Sequence, residues 1–262
     1  MKISIVIPVY NSERILKKLV KEIKKNLKKK VYEIFLVNDC SKDSSWKIIT
    51  KLSKISNKIK GISLQNNYGQ HNAIMAGLKY ANGDYIIIMD DDLQHHPKYI
   101  LKLINKIKLG FDLCYTNYID RQHSYYKILL SQISNIVSSL LINKPFKLYL
   151  SSFKCMNQSL KKKLIKVKDP KIYIDGYLIK FTKKIASINI NHKKRYFGKS
   201  NYDLKKLFSL WVDLTLLSKI YPFQFISILI LLVKLAVYPF IFYRFLFKKE
   251  QNIQYKISEK TF

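Results

Sequence analysis

The feature that most restricts this chain is a set of short, continuous apolar runs separated by helical patterns. Residues 3–9, Ile34-Phe35-Leu36-Val37, residues 61–64 and the run Tyr85-Ile86-Ile87-Ile88-Met89 are apolar almost without interruption. A strand with one wet face alternates apolar and polar residues, whereas a strand covered on both faces does not need to. Between the runs lie segments of helical character. These are a lysine-rich amphipathic stretch over 12–28, Trp46, Ile49 and Leu52 within 44–55, a smooth Ala73, Ala76, Gly77 face, and a helix over 97–109 followed by a strand over 111–118. Strands alternating with helices predict an α/β fold: a Rossmann-like, mostly parallel sheet with helices on both faces. Ligands of such sheets bind beyond the carboxyl ends of the strands. Three polar sets follow the apolar runs here: Pro8-Val9-Tyr10-Asn11, Asn38-Asp39 and Asp90-Asp91-Asp92. They predict the active site.

The third set is the most informative. Four aspartates fall within residues 84–92, although the chain has only 17 acidic residues in 262. Three consecutive carboxylates repel one another unless a cation neutralises them. Successive side chains diverge, so Asp90 and Asp92 can face one ligand while Asp91 points elsewhere. Hard oxygen ligands of this kind favour Mg²⁺ or Mn²⁺, with diphosphate oxygens completing the shell. A plain helix cap before Pro97 needs only one Asp.

Composition narrows the partners. Lys+Arg total 48 against 17 Asp+Glu, a formal charge of +31. The arginines are only Arg14, Arg121, Arg195 and Arg244. Base-reading proteins rely on the bidentate arginine fork, so scattered lysine reads as compositional bias, and no nucleic acid is expected as a partner. Neither GxGxxG nor GxxxxGK[ST] occurs. Cys40, Cys114 and Cys155 are widely spaced and suit buried thiols in a reducing compartment. The histidines His71, His95, His96, His123 and His192 lack zinc-ligand spacing. The apolar run at 3–7 is too short for a signal-peptide core, so the main domain is expected in the cytosol.

Farther along, the pattern predicts a helix at 124–143, a strand near 148–155, a helix near 157–166 and a strand near 185–192. Leu204, Leu207, Phe208, Trp211 and Leu214 share one helical face, which reads as an amphipathic helix at a membrane interface. Residues 223–247 would span roughly 37 Å as a helix, against ~30 Å of hydrocarbon. Lys234, near the centre, costs about 3 kcal/mol on insertion scales. The Phe, Ile, Leu and Val side chains there contribute on the order of −5 to −10 kcal/mol, so insertion is favoured. Lys219 precedes the stretch and Lys248-Lys249 follow it, which leaves a crossing and a re-entrant path both open. The expected organisation is a catalytic domain over 1–203, a juxtamembrane amphipathic helix over 204–221, a membrane segment over 222–247 and a basic tail over 248–262.

Taken together, Ile5-Val6-Ile7-Pro8-Val9-Tyr10-Asn11, Asn38-Asp39-Cys40-Ser41-Lys42-Asp43 and Met89-Asp90-Asp91-Asp92-Leu93-Gln94 resemble the three motifs of family 2 glycosyltransferases with the GT-A fold. The run Asn67-Tyr68-Gly69-Gln70-His71-Asn72-Ala73 and the run Arg195-Tyr196-Phe197-Gly198-Lys199-Ser200 are similar to the polyprenyl-phosphate branch of that family. The resemblance covers about residues 3–213. It implies that Pro8, Tyr10 and Asp39 line a nucleobase and ribose pocket, with Glu13 and Asp91 completing the donor site. It implies Asp90 and Asp92 as metal ligands, with Gln94 as a third. It also implies Arg121, Arg195, Lys199 and Ser200 as groups for an acceptor phosphate, with Asp92 and Arg195 nearest the chemistry. The chain departs from the usual pattern in having Ser12 where Glu follows Asn, Cys40 in place of Gly, Tyr118 where close relatives carry Arg, and Asn201 in place of Lys.

The resemblance implies a metal-dependent, inverting transfer from a nucleotide-sugar donor to a polyprenyl (undecaprenyl) phosphate. Its place would be the cytosolic face of a bacterial inner membrane, with a homo-oligomer left open. A phosphate acceptor is already anionic and needs no protein base. A sugar hydroxyl does need one, and Asp175 in Tyr173-Ile174-Asp175-Gly176 is then the candidate base, unless it simply marks a turn. A membrane-bound scaffold without catalysis is the third reading.

Overall fold

Every apolar run singled out above becomes a strand. The structure, a computed structural model, describes residues 1–118, 145, 148–170, 172–191 and 254–262. In chain order the elements are β1 (Lys2–Val9), α1 (Leu16–Asn26), β2 (Val31–Asn38), α2 (Ser45–Ile55), β3 (Ile59–Leu64), α3 (Gln70–Tyr80) and β4 (Tyr85–Ile88). A 3₁₀ turn at Pro97–Tyr99 leads into α4 (Ile100–Lys108) and β5 (Leu113–Tyr118). Then come β6 (Lys154–Asn157), α5 (Gln158–Leu164), α6 (Ile174–Phe181), β7 (Ile185–Ile190) and β8 (Ile257–Lys260). The described elements belong to a unit made of Met1–His123, Lys147–Gly198 and Ile253–Phe262. The second unit, Ser124–Phe146 and Lys199–Asn252, lies outside the described residues except for Pro145. The predicted helices at 124–143 and 204–221 and the segment 222–247 therefore also lie outside them.

The eight strands form one sheet in the order β7-β5-β6-β4-β1-β2-β3-β8. β4, β1, β2 and β3 run parallel, as do β5 and β7. β6 enters antiparallel between β4 and β5, and β8 lies antiparallel on the edge of β3. Side chains alternate across the sheet, so β1 sends Ile3, Ile5 and Ile7 to one core and Val6 to the other. The first core holds Leu16, Leu19, Val20 and Ile23 of α1, Ile49 of α2, and Ile100, Leu103, Ile104 and Ile107 of α4. The opposite core holds Ala73 and Ala76 of α3, Leu160 and Leu164 of α5, and Ile174 and Leu178 of α6.

The smooth face expected on α3 is real. A Cβ at Gly77 would lie 2.5 Å from Val6 Cγ1 and 3.0 Å from Val37 Cγ2, so this helix rests almost directly on β1 and β2. On α1 the buried residues recur at helical spacing, and Lys24 and Lys25 in the last turn complement the negative end of the helix dipole.

Three elements depart from the pattern read above. The strand expected near 148–155 is confined to Lys154–Asn157, the residues that pair with β4 and β5. Residues 174–181 form a helix that passes through Gly176, where a turn was the alternative. The buried Ile174, Leu178 and Ile179 outweigh the ~1 kcal/mol that glycine costs in a helix. The expected basic tail contains a strand, β8, because the open edge of β3 offers a row of unpaired backbone groups.

Candidate active site

Because β1, β2 and β4 are parallel neighbours, their carboxyl ends lie side by side. β1 is the strand from which the order departs in both directions, with β2 on one side and β4 on the other. Such a reversal leaves a crevice between the diverging loops, and the three predicted polar sets surround it.

The loops are laced together. The Asp39 amide donates to Val9 O at 2.9 Å, the Asn11 amide to Ser41 Oγ at 3.0 Å, and the Lys42 amide to Asn11 Oδ1 at 2.8 Å. Asn11 and Cys40 both adopt left-handed backbone, at φ 54° and 57°. At position 40 the motif that this segment resembles carries glycine, the residue that adopts such a conformation most readily. Pro8 is buried at the end of β1, and Tyr10 beside it is exposed.

Asp39 is buried, and its two carboxylate oxygens accept from the amides of Tyr68 and Gly69 at 2.8 and 2.9 Å. Burial raises its pKa, against the pull of those two amides. The carboxylate thus fixes the loop before α3, while Asn67 Nδ2 donates to the Asp39 carbonyl. Glu13 faces the start of α2: its Oε2 accepts from the Ser44 amide, and its own amide donates to Asp43 Oδ2. Asp43 Oδ1 accepts from the Ser45 amide, so Glu13 and Asp43 together cap α2.

The three aspartates diverge as their spacing predicts. Asp90 is held from both sides, by Gln70 Nε2 at 2.7 Å on Oδ1 and Ser152 Oγ at 2.6 Å on Oδ2. Asp91 turns toward the loop after β1, where Ser12 donates to Oδ2 and the Tyr10 amide adds a further bond. Burial, with the Asp90 and Asp92 charges added, pushes its pKa up to about 7. Asp92 Oδ1 accepts from the Gln94 amide at 3.0 Å. Between them Leu93 sits at φ 57°, a conformation an L side chain adopts only under constraint. A protein that keeps three adjacent carboxylates here has stored negative charge. Hard carboxylate oxygens from Asp90 and Asp92 at a crevice mouth fit a divalent cation. Among the described residues no group of three or more His, Cys, Asp and Glu is close enough to hold a metal alone. A cation here therefore needs oxygens from its ligand as well.

Asp175 lies behind this layer. It is buried at the start of α6, where its Oδ1 is ion-paired with Lys154 and accepts from Tyr115 Oη at 2.7 Å. The side chains of Lys154 and Asp175 are only 4% and 9% exposed. That is the geometry of an internal strut, and the base expected for a hydroxyl acceptor is engaged in it. His71, on α3, packs edge-on against Tyr173. Burial holds its pKa down to about 4, so the ring is neutral near pH 7, and its Nδ1 meets no partner among the described residues.

The sequence reading missed Gln70 and Ser152 as partners of Asp90. Gln70 stood in a quoted motif, but Ser152 is 62 residues away and had no signal. Arg121, Arg195, Lys199 and Ser200 lie outside the described residues.

Comparison with known proteins agrees with this geometry. The model of the family described as glycosyl transferase family 2 matches residues 4–178. The undecaprenyl-phosphate 4-deoxy-4-formamido-L-arabinose transferase of Proteus mirabilis (strain HI4320) is 32% identical over 234 residues, 87% of this chain and 71% of that protein. The protein of the same name from Salmonella paratyphi B is 33% identical over 235 residues, with the same shares covered. Among solved structures, glucosyl-3-phosphoglycerate synthase from Mycobacterium tuberculosis in complex with Mn²⁺, UDP-glucose and phosphoglyceric acid aligns with a TM-score of 0.64. It is 17% identical and covers 85% of this chain and 81% of its own. A second complex of that enzyme, with UDP, aligns at 0.62 with 18% identity over 85% of this chain and 82% of its own. At such identities the likeness concerns the fold, and it is the GT-A fold expected from the motifs.

Proposed function

The chain belongs to glycosyl transferase family 2, and from that premise we propose that it transfers a sugar, with inversion, from a nucleotide-sugar to a polyprenyl phosphate. The observation that carries the reading is the Asp90–Asp92 cluster at the crevice between β1, β2 and β4. The names of the relatives at 32–33% identity support undecaprenyl phosphate as the acceptor.

In this reading Asp90 and Asp92 hold a divalent cation, Mn²⁺ or Mg²⁺, with Gln94 as a further ligand. When bound, the cation offsets the charge that develops on the leaving diphosphate. Gln70 and Ser152 orient Asp90, so that its ligating oxygens are fixed before the donor arrives. Ser12 and the Tyr10 amide keep Asp91 turned away from the cation, toward the β1 loop. Pro8, Tyr10 and the Asp39 loop form the side on which the nucleoside lies. Asp39 acts there by holding the backbone of Tyr68 and Gly69 in place.

The acceptor phosphate is an anion near neutral pH and attacks the anomeric carbon without a protein base. The engaged state of Asp175 fits that requirement better than it fits the base that a hydroxyl acceptor needs. Arg121, Arg195, Lys199 and Ser200 supply the positive and hydrogen-bonding groups for the acceptor. The apolar residues 223–247 bring the enzyme to its lipid at the cytosolic face of a bacterial inner membrane.

The test is to incubate membranes containing the protein with undecaprenyl phosphate, Mn²⁺ and a panel of UDP-, GDP- and dTDP-sugars. The expected product is one glycosylated polyprenyl phosphate, identified by its mass. Transfer only to a saccharide hydroxyl would replace this reading with the other one.

A further inference from the structure

The start of α3 carries more polar groups than the proposed reaction uses. Successive backbone amides at residues 68–72 meet there. The first two already hold an anion, since the Tyr68 and Gly69 amides donate to the Asp39 carboxylate at 2.8 and 2.9 Å. Those of Gln70, His71 and Asn72 fall in the first turn, where no intrahelical carbonyl stands behind them. The first helical bond runs from the Ala73 amide to the Gly69 carbonyl at 3.1 Å, and among the described residues the three amides before it have no acceptor. Helices often close such a start with a side chain at the N-cap, but that position here is Gly69, which has none to give. Gly69 sits at φ 87°, and a Cβ placed on it would meet nothing within 4 Å, so the space before the helix is open.

His71 stands in that first turn. Its ring packs edge-on against Tyr173, with centroids 5.3 Å apart, and its buried Nδ1 has no hydrogen-bond partner among the described residues. Buried polar atoms are normally bonded, because leaving one unpaired is costly. Helical side chains lean toward the N-terminus of their helix, so in the first turn this ring leans over the amides of residues 70–72. Burial keeps the ring neutral near pH 7, and a neutral imidazole still has one N–H to donate. Gln70 reaches Asp90 Oδ1 at 2.7 Å, which sets the turn beside the aspartate cluster. Asn72 Nδ2 donates to the Tyr68 and Pro170 carbonyls, both at 3.0 Å, and so fixes the turn against the loop that leads to Tyr173.

Resting on the nucleotide-sugar reading above, we infer that the first turn of α3 binds a phosphoryl group of a substrate, to which the Gln70, His71 and Asn72 amides and the His71 ring donate. The positive end of the helix dipole stands behind those amides and suits an anion. Asp90 alone would repel that anion, and a cation held at Asp90 and Asp92 removes the repulsion. Both substrates of the proposed reaction carry the group, the donor as a diphosphate and the acceptor as a phosphate. His71 then reads phosphate and neither nucleobase nor sugar.

The experiment uses the detergent-solubilised full chain and two variants. His71→Phe keeps a ring against Tyr173 and removes both nitrogens, and His71→Gln keeps a donor. Calorimetric titration with UDP, GDP and dTDP in Mn²⁺ measures the nucleotide, and glycolipid formation at saturating donor gives KM for undecaprenyl phosphate. In His71→Phe one of these two constants should worsen by ~10-fold, with the melting midpoint within a few degrees of the parent and His71→Gln recovering most of the loss. A loss in nucleotide affinity assigns the turn to the donor, and a loss in acceptor KM assigns it to the acceptor. The nucleoside without phosphates should bind parent and variant alike. A second readout needs no variant: hydrogen exchange of the amides over residues 68–74 in the parent should slow with the nucleotide or with undecaprenyl phosphate, and not with the nucleoside. Unchanged constants in a folded His71→Phe, or exchange that no phosphate-bearing ligand slows, overturn the inference and leave the glycosyltransferase reading standing. A parent protein that binds no nucleotide and forms no glycolipid overturns that reading, and the inference with it.

Discussion

Replacing Lys154 by methionine should separate a structural Asp175 from a catalytic one. The substitution keeps most of the apolar stem and removes the ammonium, so Asp175 is left buried with Tyr115 as its one remaining partner on Oδ1. With side-chain exposures of 4% and 9%, water cannot replace the lost charge. Breaking a buried pair in this way costs about 3–5 kcal/mol. For a unit of this size each kcal/mol shifts the melting midpoint by about 2–4 °C, so the fall should be on the order of 10 °C. Replacing the whole group by apolar residues should behave differently. In Lys154→Met/Asp175→Leu the Tyr115 hydroxyl loses its acceptor, a residual cost of about 1–3 kcal/mol. Adding Tyr115→Phe removes that cost, and the triple variant should melt within a few degrees of the parent. The assays are thermal melting and glycolipid formation at a temperature well below every midpoint. If Asp175 is a strut, turnover in the triple variant survives with stability. An Asp175→Asn protein that melts like the parent yet forms no product would make Asp175 a catalytic base and not a strut, because that is how a lost base behaves.

Three further outcomes follow from the same structure. Glu33 is buried, and although burial alone would raise its pKa, bonds from Ser4, Lys2, the Asn82 amide and Lys60 bring it from 4.5 to about 2. Its contribution is therefore full above pH 4.5 and is lost as the pH falls toward 2; with the two lysines 40% and 28% exposed it amounts to about 1–2 kcal/mol after screening. Glu33→Gln should flatten the melting midpoint across that window. Cys40→Gly should raise stability by about 0.5–1 kcal/mol, since it relieves the left-handed φ of 57° at a small entropic cost in the unfolded chain; a lower midpoint would contradict this. Deleting residues 257–262 should bare the β3 edge and the Phe35 and Tyr80 rings, lower the midpoint and promote self-association, as read by melting and light scattering.

The parallel half of the sheet was legible because its strands are covered on both faces and so are written as unbroken apolar runs. β6 was harder: Lys154 sits inside it, and a buried lysine reads as surface until its partner Asp175 is found. β8 was invisible because Ile257-Ser258-Glu259-Lys260 is polar enough for a tail; its strand character comes from the free edge of β3. At the site, the divergence of Asp90 from Asp91 followed from strand geometry alone. The clamps on Asp90 did not, since Gln70 and Ser152 come from elements far apart in sequence. Glu13 shows the converse, an acidic residue beside a donor motif whose carboxylate caps α2.

In the proposed function, nucleotide-sugar binding depends on a cation held by Asp90 and Asp92. Calorimetric titration of the detergent-solubilised full chain with UDP, GDP and dTDP, with and without Mn²⁺, tests it directly. One nucleotide should bind, Mn²⁺ should tighten it, and Asp90→Asn/Asp92→Asn should remove at least ~100-fold of that affinity while the melting midpoint stays within a few degrees. Equal affinity in the parent and the double variant, with Mn²⁺ making no difference to either, would contradict it.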